Sequence, residues 1–133
     1  MATRGRDLRS EHFAYDFLAD CALIRGDCDE ADRRYRESLR AALPLGDVLD
    51  TSFEVQGLAM AAAGRGDTAR ALRLAAAVEA LWESLGTAIS VAFWDELLER
   101  YIGAARERLG PDAVPVSAHR QNYAWDTVTS AVG

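Results

Sequence analysis

Residues 25–31 read Arg25-Gly26-Asp27-Cys28-Asp29-Glu30-Ala31, and residues 65–71 read Arg65-Gly66-Asp67-Thr68-Ala69-Arg70-Ala71. Each run reads as the junction of two helices. An arginine in the last helical turn favours the helix dipole. Glycine ends the helix because it tolerates the left-handed backbone found just past a helix end. Aspartate then caps the next helix through its carboxylate. Glu30, three residues after Asp27, completes a capping-box pattern. This reading also accounts for the twofold Arg-Gly-Asp tripeptide without a role in cell adhesion.

The junctions belong to a longer repeat. Sliding residues 7–46 onto 47–86 matches Asp7/Asp47, Phe13/Phe53, Leu18/Leu58, Ala19/Ala59, Ala22/Ala62 and Arg25/Arg65. It also matches Gly26/Gly66, Asp27/Asp67, Ala31/Ala71, Arg33/Arg73, Leu45/Leu85 and Gly46/Gly86. The identities are glycines, cap aspartates, small residues and large apolar ones, the types that set helix ends and packing. Phe93, Leu98 and Ile102 continue the register where Phe53, Leu58 and Ala62 stand, and it fails after Leu109-Gly110.

Each unit predicts two helices. The first runs from Leu8 to Arg25, with Phe13, Phe17, Leu18, Cys21, Ala22 and Ile24 at three- and four-residue intervals. The second runs from about Cys28 to Leu43 or Pro44. The next unit predicts helices from Val48 to Gly64 and from Thr68 to Ser84, and a fifth helix spans about Ser90 to Leu109. Gly110-Pro111 stops it; a loop from Pro111 to Val116 leads to a short capping helix from about Ser117 to Val132. The expectation is a single all-α domain over 1–133, an α-solenoid of five or six helices. Its parts are a hairpin at 7–46, a hairpin at 47–86, a half-repeat at 87–110 and a capping segment at 111–133. An irregular bundle has no reason to keep one register across three units.

Composition agrees. The chain has 133 residues, with 25 alanines, 15 arginines, no lysine and only three prolines. Alanine and arginine are among the best helix formers. A net charge of −6 argues against direct nucleic-acid binding. No apolar run is long enough for a membrane span, and Met1 to Ser10 has no apolar core of a secretory leader. Cys21 and Cys28 form no disulfide framework or metal motif and read as reduced thiols. No metal or cofactor is expected, and the location expected is the cytoplasm. Arg33, Arg34, Arg36 and Arg40, interspersed with Asp32 and Glu37, read as a solvated, ion-paired helix face rather than a phosphate patch. His119, Tyr123 and Asp126 could do acid–base work, but no nucleophile accompanies them.

The run Tyr15-x2-Leu18-Ala19-x2-Ala22-x3-Gly26-x4-Ala31-x3-Tyr35 resembles the tetratricopeptide (TPR) signature of an aromatic, Leu-Gly, Tyr, Gly, Ala and an aromatic. The second unit keeps Leu58-Ala59, Ala62, Gly66 and Ala71, with Val55 and Ala75 at the aromatic positions. The unit is longer than the usual repeat of about 34 residues. Longer units with a Leu-Gly-Asp junction, here Leu45-Gly46-Asp47, are similar to the TPR region of large ATP-binding LuxR-type bacterial transcriptional regulators. The chain has no phosphate-binding GxxxxGK[ST] motif and no basic helix-turn-helix.

The resemblance implies a non-catalytic interaction module. In TPR-like solenoids the first helix of each hairpin lines a concave groove. Carried over, this places Phe13, Asp16 and Asp20, then Phe53, Gln56 and Met60, then Phe93, Glu96 and Arg100 on that surface. The phenylalanines read either as a ladder of anchors for a basic amphipathic partner or as packing between hairpins. A further expectation is either self-association through the N-terminal hairpin or a missing upstream repeat. A small-ligand sensor remains the alternative function, and it calls for an enclosed pocket of ligand size.

Overall fold

A computed structural model of the chain describes residues 7–86 and 92–109, with the backbone alone described at Leu8, Ala92, Phe93 and Leu109. The expected capping segment at 111–133, with His119, Tyr123 and Asp126, lies outside the described residues. Among those described, the fold is all-α and built of helical hairpins. Helices α1 (Leu8–Arg25) and α2 (Cys28–Ala42) form the first hairpin. Helices α3 (Val48–Gly64) and α4 (Thr68–Ser84) form the second. Helix α5 (Ala92–Leu98) continues through a π-helical turn, Glu99–Gly103, into α6 (Ala104–Leu109).

The caps recur every twenty residues. Asp7, Asp27, Asp47 and Asp67 each accept a hydrogen bond from the backbone N–H three residues on, at 3.2, 3.2, 3.0 and 3.3 Å. The glycine before the last three, and Gly86, have positive φ: 85° at Gly26, 73° at Gly46, 89° at Gly66 and 69° at Gly86. At Gly26 the Asp27 N–H turns back to the Ala22 carbonyl at 2.9 Å, and the Asp67 N–H does the same to Ala62. These bonds satisfy carbonyls that the helix end leaves free. They also correct the capping-box reading. The Asp27 N–H is already occupied, so Glu30 turns away and pairs with Arg33 and Arg34. Helix α2 ends at Ala42, one or two residues short of the expected limit, and Pro44 stands in a 3-10 turn over Leu43–Leu45.

The core lies where α2 and α3 cross. A Cβ on Gly57 would overlap the Tyr35 ring, and one on Gly64 would overlap the Cys28 sulfur. Glycine at these positions lets the two helices approach closely. Tyr35 and Leu39 of α2, Val55, Leu58 and Met60 of α3, and Val78 of α4 are fully buried. The fifth helix ties back to the first hairpin: the Tyr101 hydroxyl donates to the Leu23 carbonyl at 2.8 Å and Arg100 donates to the Ile24 carbonyl at 3.3 Å. These contacts cap the C-terminal end of α1. Arg65 reaches across from α3 to Asp29 at 2.9 Å and Asp32 at 3.5 Å.

Candidate functional site

Helix α1 carries an apolar stripe on the side away from the core. Phe13, Phe17 and Ile24 recur at helical spacing, and they are 52%, 68% and 49% exposed. Scattered exposed apolar residues are normal, but three on one helical face form a patch of the kind that marks a contact surface. The opposite face of α1 is buried through His12, Ala19 and Leu23.

Asp16 and Asp20 stand between stripe and core, half-buried. The Tyr35 hydroxyl donates to Asp20 Oδ1 at 2.5 Å. Asp16 shares a hydrogen bond with Glu54 of α3, a residue only 1% exposed. Burial holds the Asp16 carboxyl above its usual range, and burial pushes Asp20 up to about 6 despite the Tyr35 bond. Glu54 is pushed up to about 10, first by burial and then by the charge of Asp16. Burial, with the charge of Asp20, also raises the Tyr35 hydroxyl. Like charges close together in a poorly solvated place cannot all ionise, so Glu54 and Asp16 share a proton.

The floor of this seam is polar. Ser38 Oγ donates to the His12 carbonyl at 3.0 Å, so it accepts from His12 Nδ1 at 2.8 Å, and Nδ1 carries a proton. Glu54 Oε2 is 3.6 Å from the same nitrogen, and Asp50 Oδ2 is 3.9 Å from Nε2. A serine, a histidine and a carboxylate in this order suggest a hydrolase triad. The geometry opposes that reading. Ser38 and His12 are closed to solvent, the serine proton is committed to a backbone carbonyl, and Asp50 lies beyond hydrogen-bond range. Among the described residues no group of three or more His, Cys, Asp or Glu side chains is arranged to hold a metal ion.

The expected groove residues do not form one surface. Phe13, Asp16 and Asp20 are together on α1. Met60 is fully buried, because the glycines flanking it on α3 draw α2 over that face. Gln56 is buried and accepts a hydrogen bond from the Trp94 indole. Phe53 is half-buried between Trp82 and Trp94, with ring centroids 5.7 and 5.8 Å away. Phe53, Gln56 and Met60 are therefore packing residues, and the phenylalanine ladder is broken. Glu96 and Arg100 are exposed, the latter spanning to α1 as described. The Phe93 side chain lies outside the described residues. Sequence reasoning missed His12, Tyr35, Ser38 and Glu54 as a group.

Elsewhere, a half-open hollow of about 160 Å³ lies among Gln56, Glu79, Asp95, Glu99 and Arg106. Drug-sized ligands occupy pockets of roughly 300 Å³ and more, so this hollow is small for an effector. Glu30 pairs with Arg33 and Arg34, and Asp32 with Arg36, so these arginines are ion-paired along α2. Cys21 and Cys28 are both free thiols. No helix among the described residues is long and apolar enough to cross a membrane. Comparison of the chain with known protein families, with curated proteins and with solved structures finds no match.

Proposed function

We propose that the chain is a TPR-like protein-interaction module of a cytoplasmic bacterial regulator, and that it binds without catalysis. The partner is a basic, amphipathic helix that lies along α1. One observation carries this reading: the exposed stripe of Phe13, Phe17 and Ile24 runs beside Asp16 and Asp20, and among the described residues no arginine pairs with either carboxylate. Apolar anchors with an acidic edge suit a helix that offers apolar side chains at helical spacing and cations along one side. The repeated glycine–aspartate junctions support the repeat-module part of the proposal. The regulator part rests on the resemblance of the Leu45-Gly46-Asp47 units.

The test is a titration with a designed helical peptide that carries leucines on one face and arginines along one edge, followed by fluorescence anisotropy. Binding should weaken with salt, because the acidic edge steers association. Phe17→Ser should abolish binding and leave the melting temperature nearly unchanged, since the side chain is largely in solvent. Binding that survives Phe17→Ser would move the site away from α1.

A further inference from the structure

One face of α3 is covered by α2. Tyr35 sits on Gly57 and Cys28 on Gly64, so the two helices run antiparallel. Leu58 and Ala61, on the same face of α3, are buried. The register match of the two hairpins sets Phe17 where Gly57 stands, Leu18 where Leu58 stands, Cys21 where Ala61 stands and Ile24 where Gly64 stands. On α1 these positions are open: Phe17, Leu18 and Ile24 are exposed and Cys21 is half-buried. The stripe is therefore the repeat equivalent of a face that, one hairpin on, holds a helix. Charge follows the same register. Arg65, at the end of α3, pairs with Asp29 of α2 at 2.9 Å and with Asp32 at 3.5 Å. Arg25 has its place in the first hairpin; it is exposed, and among the described residues no carboxylate pairs with it.

We infer that α1 receives a partner's helix in the crossing that α2 makes on α3. The helix runs antiparallel to α1. It sets a small residue opposite Ile24, acids one and four positions later beside Arg25, and a second small residue two turns on, opposite Phe17. This rests on the docking of a helix along α1 proposed above, and adds its direction and the residues it needs.

Volume decides the small residues. A close crossing has room for one large side chain at each contact, and overfilling it forces the helices apart. On α3 the glycine leaves that room to Tyr35. On α1, Phe17 and Ile24 take it, so alanine or glycine has to face them. The chain makes this exchange once itself: Ala75 of α4 stands at the register of Tyr35 and Leu97 of α5 at that of Gly57, and both are buried. The acids lie near the N-terminus of the incoming helix, where the helix dipole favours them, and the cations farther along its edge remain for Asp16 and Asp20. A second copy of the chain is a poor source of this helix. Its α2 already covers its own α3, and its α1 brings like carboxyls together.

The experiment uses two arginine-edged helical peptides that share the two acids and differ at one position, alanine or tyrosine opposite Phe17. By fluorescence anisotropy the alanine peptide should bind the intact protein at least about tenfold more tightly. Phe17→Gly, whose fold is checked by circular dichroism, should reverse the order, because it restores the glycine that α3 has there. Glutamines in place of the peptide acids should weaken binding about threefold, and should change nothing in Arg25→Gln. A nitroxide at the peptide N-terminus should broaden the NMR signals of Arg25 more strongly than those of Phe13. Equal binding of the two peptides, an order that Phe17→Gly leaves unchanged, or stronger broadening at Phe13 overturns this crossing and leaves docking on α1 standing. If the leucine-faced peptide binds and neither of these does, the crossing falls alone; if all three fail, the docking reading falls with it. A stable dimer at neutral pH that excludes the peptides makes a second copy the occupant and overturns the partner helix.

Discussion

The ring of Tyr35 occupies the space in which a Cβ of Gly57 would stand. This contact joins the two hairpins and turns one face of α3 into core. Gly57→Ala should therefore destabilise by about 1–3 kcal/mol, because the ring must shift within a packed interior. Urea denaturation should show a lower midpoint at unchanged slope. Pairing the change with Tyr35→Leu should recover part of the loss, and simple additivity of the two would mean that the residues are not in contact.

The helix limits were legible because they rest on local chemistry. Glycine and aspartate at Gly26-Asp27 and Gly66-Asp67 act within a few residues of themselves, and the structure has helices ending and starting there. Which face of each helix is covered was not legible. Met60 and Gln56 occupy the register positions of Asp20 and Asp16, and the resemblance put all four on one groove. Their fates differ because α2 packs onto Gly57 and Gly64 of α3 and Trp94 of α5 closes over Gln56, whereas α1 carries the exposed Phe17 and Ile24 at the positions of the two glycines. The buried cluster was hidden because His12, Ser38 and Glu54 come from three helices. One signal existed: His12 stands seven and eleven residues before Ala19 and Leu23, on the same helical face, and Glu54 precedes an almost unbroken apolar run.

Gly66 tests the junctions. Its φ of 89° is in the left-handed region, and nothing lies within 4 Å of a Cβ built there. Strain is thus separated from steric overlap. Gly66→Val should cost about 1–3 kcal/mol through the backbone alone. Gly66→Asn should cost less, since asparagine tolerates this conformation. Thermal melts of the two variants check the order, and equal losses would show that the backbone conformation is not the cause.

The carboxyl cluster makes stability depend on pH. Asp20 and Glu54 titrate at about 6 and about 10 in the folded protein, against ordinary values of 3.8 and 4.5. The folded state therefore binds more protons than the unfolded state between each pair of values. Their contribution is complete below the ordinary values and is lost as pH rises through the folded ones. Urea midpoints should fall from about pH 5 to about pH 9. Glu54→Gln resembles the protonated acid, so it should flatten the upper part of this profile and be at least as stable as the parent at the alkaline end. A parallel profile in the variant would mean that Glu54 is not the group being titrated.

The uncovered α1 stripe should also drive weak self-association, and its symmetry decides how pH acts on it. Two copies that pair α1 against α1 in antiparallel fashion are related by a two-fold axis, which brings like edges together. Asp16 and Asp20 of one copy then face Asp16 and Asp20 of the other. Ionised, these carboxyls repel; protonated, they no longer do. Because Asp20 titrates at about 6, the dimer should be favoured as pH falls through that value. Sedimentation equilibrium should show a mostly monomeric protein at neutral pH and a growing dimer fraction under mildly acidic conditions. Phe17→Ser should suppress the dimer at every pH, since it removes the most exposed anchor. Asp20→Asn, in contrast, should raise dimerisation at neutral pH to its acid level. A dimer fraction that ignores both substitutions would place self-association on another face and leave α1 free for the basic partner.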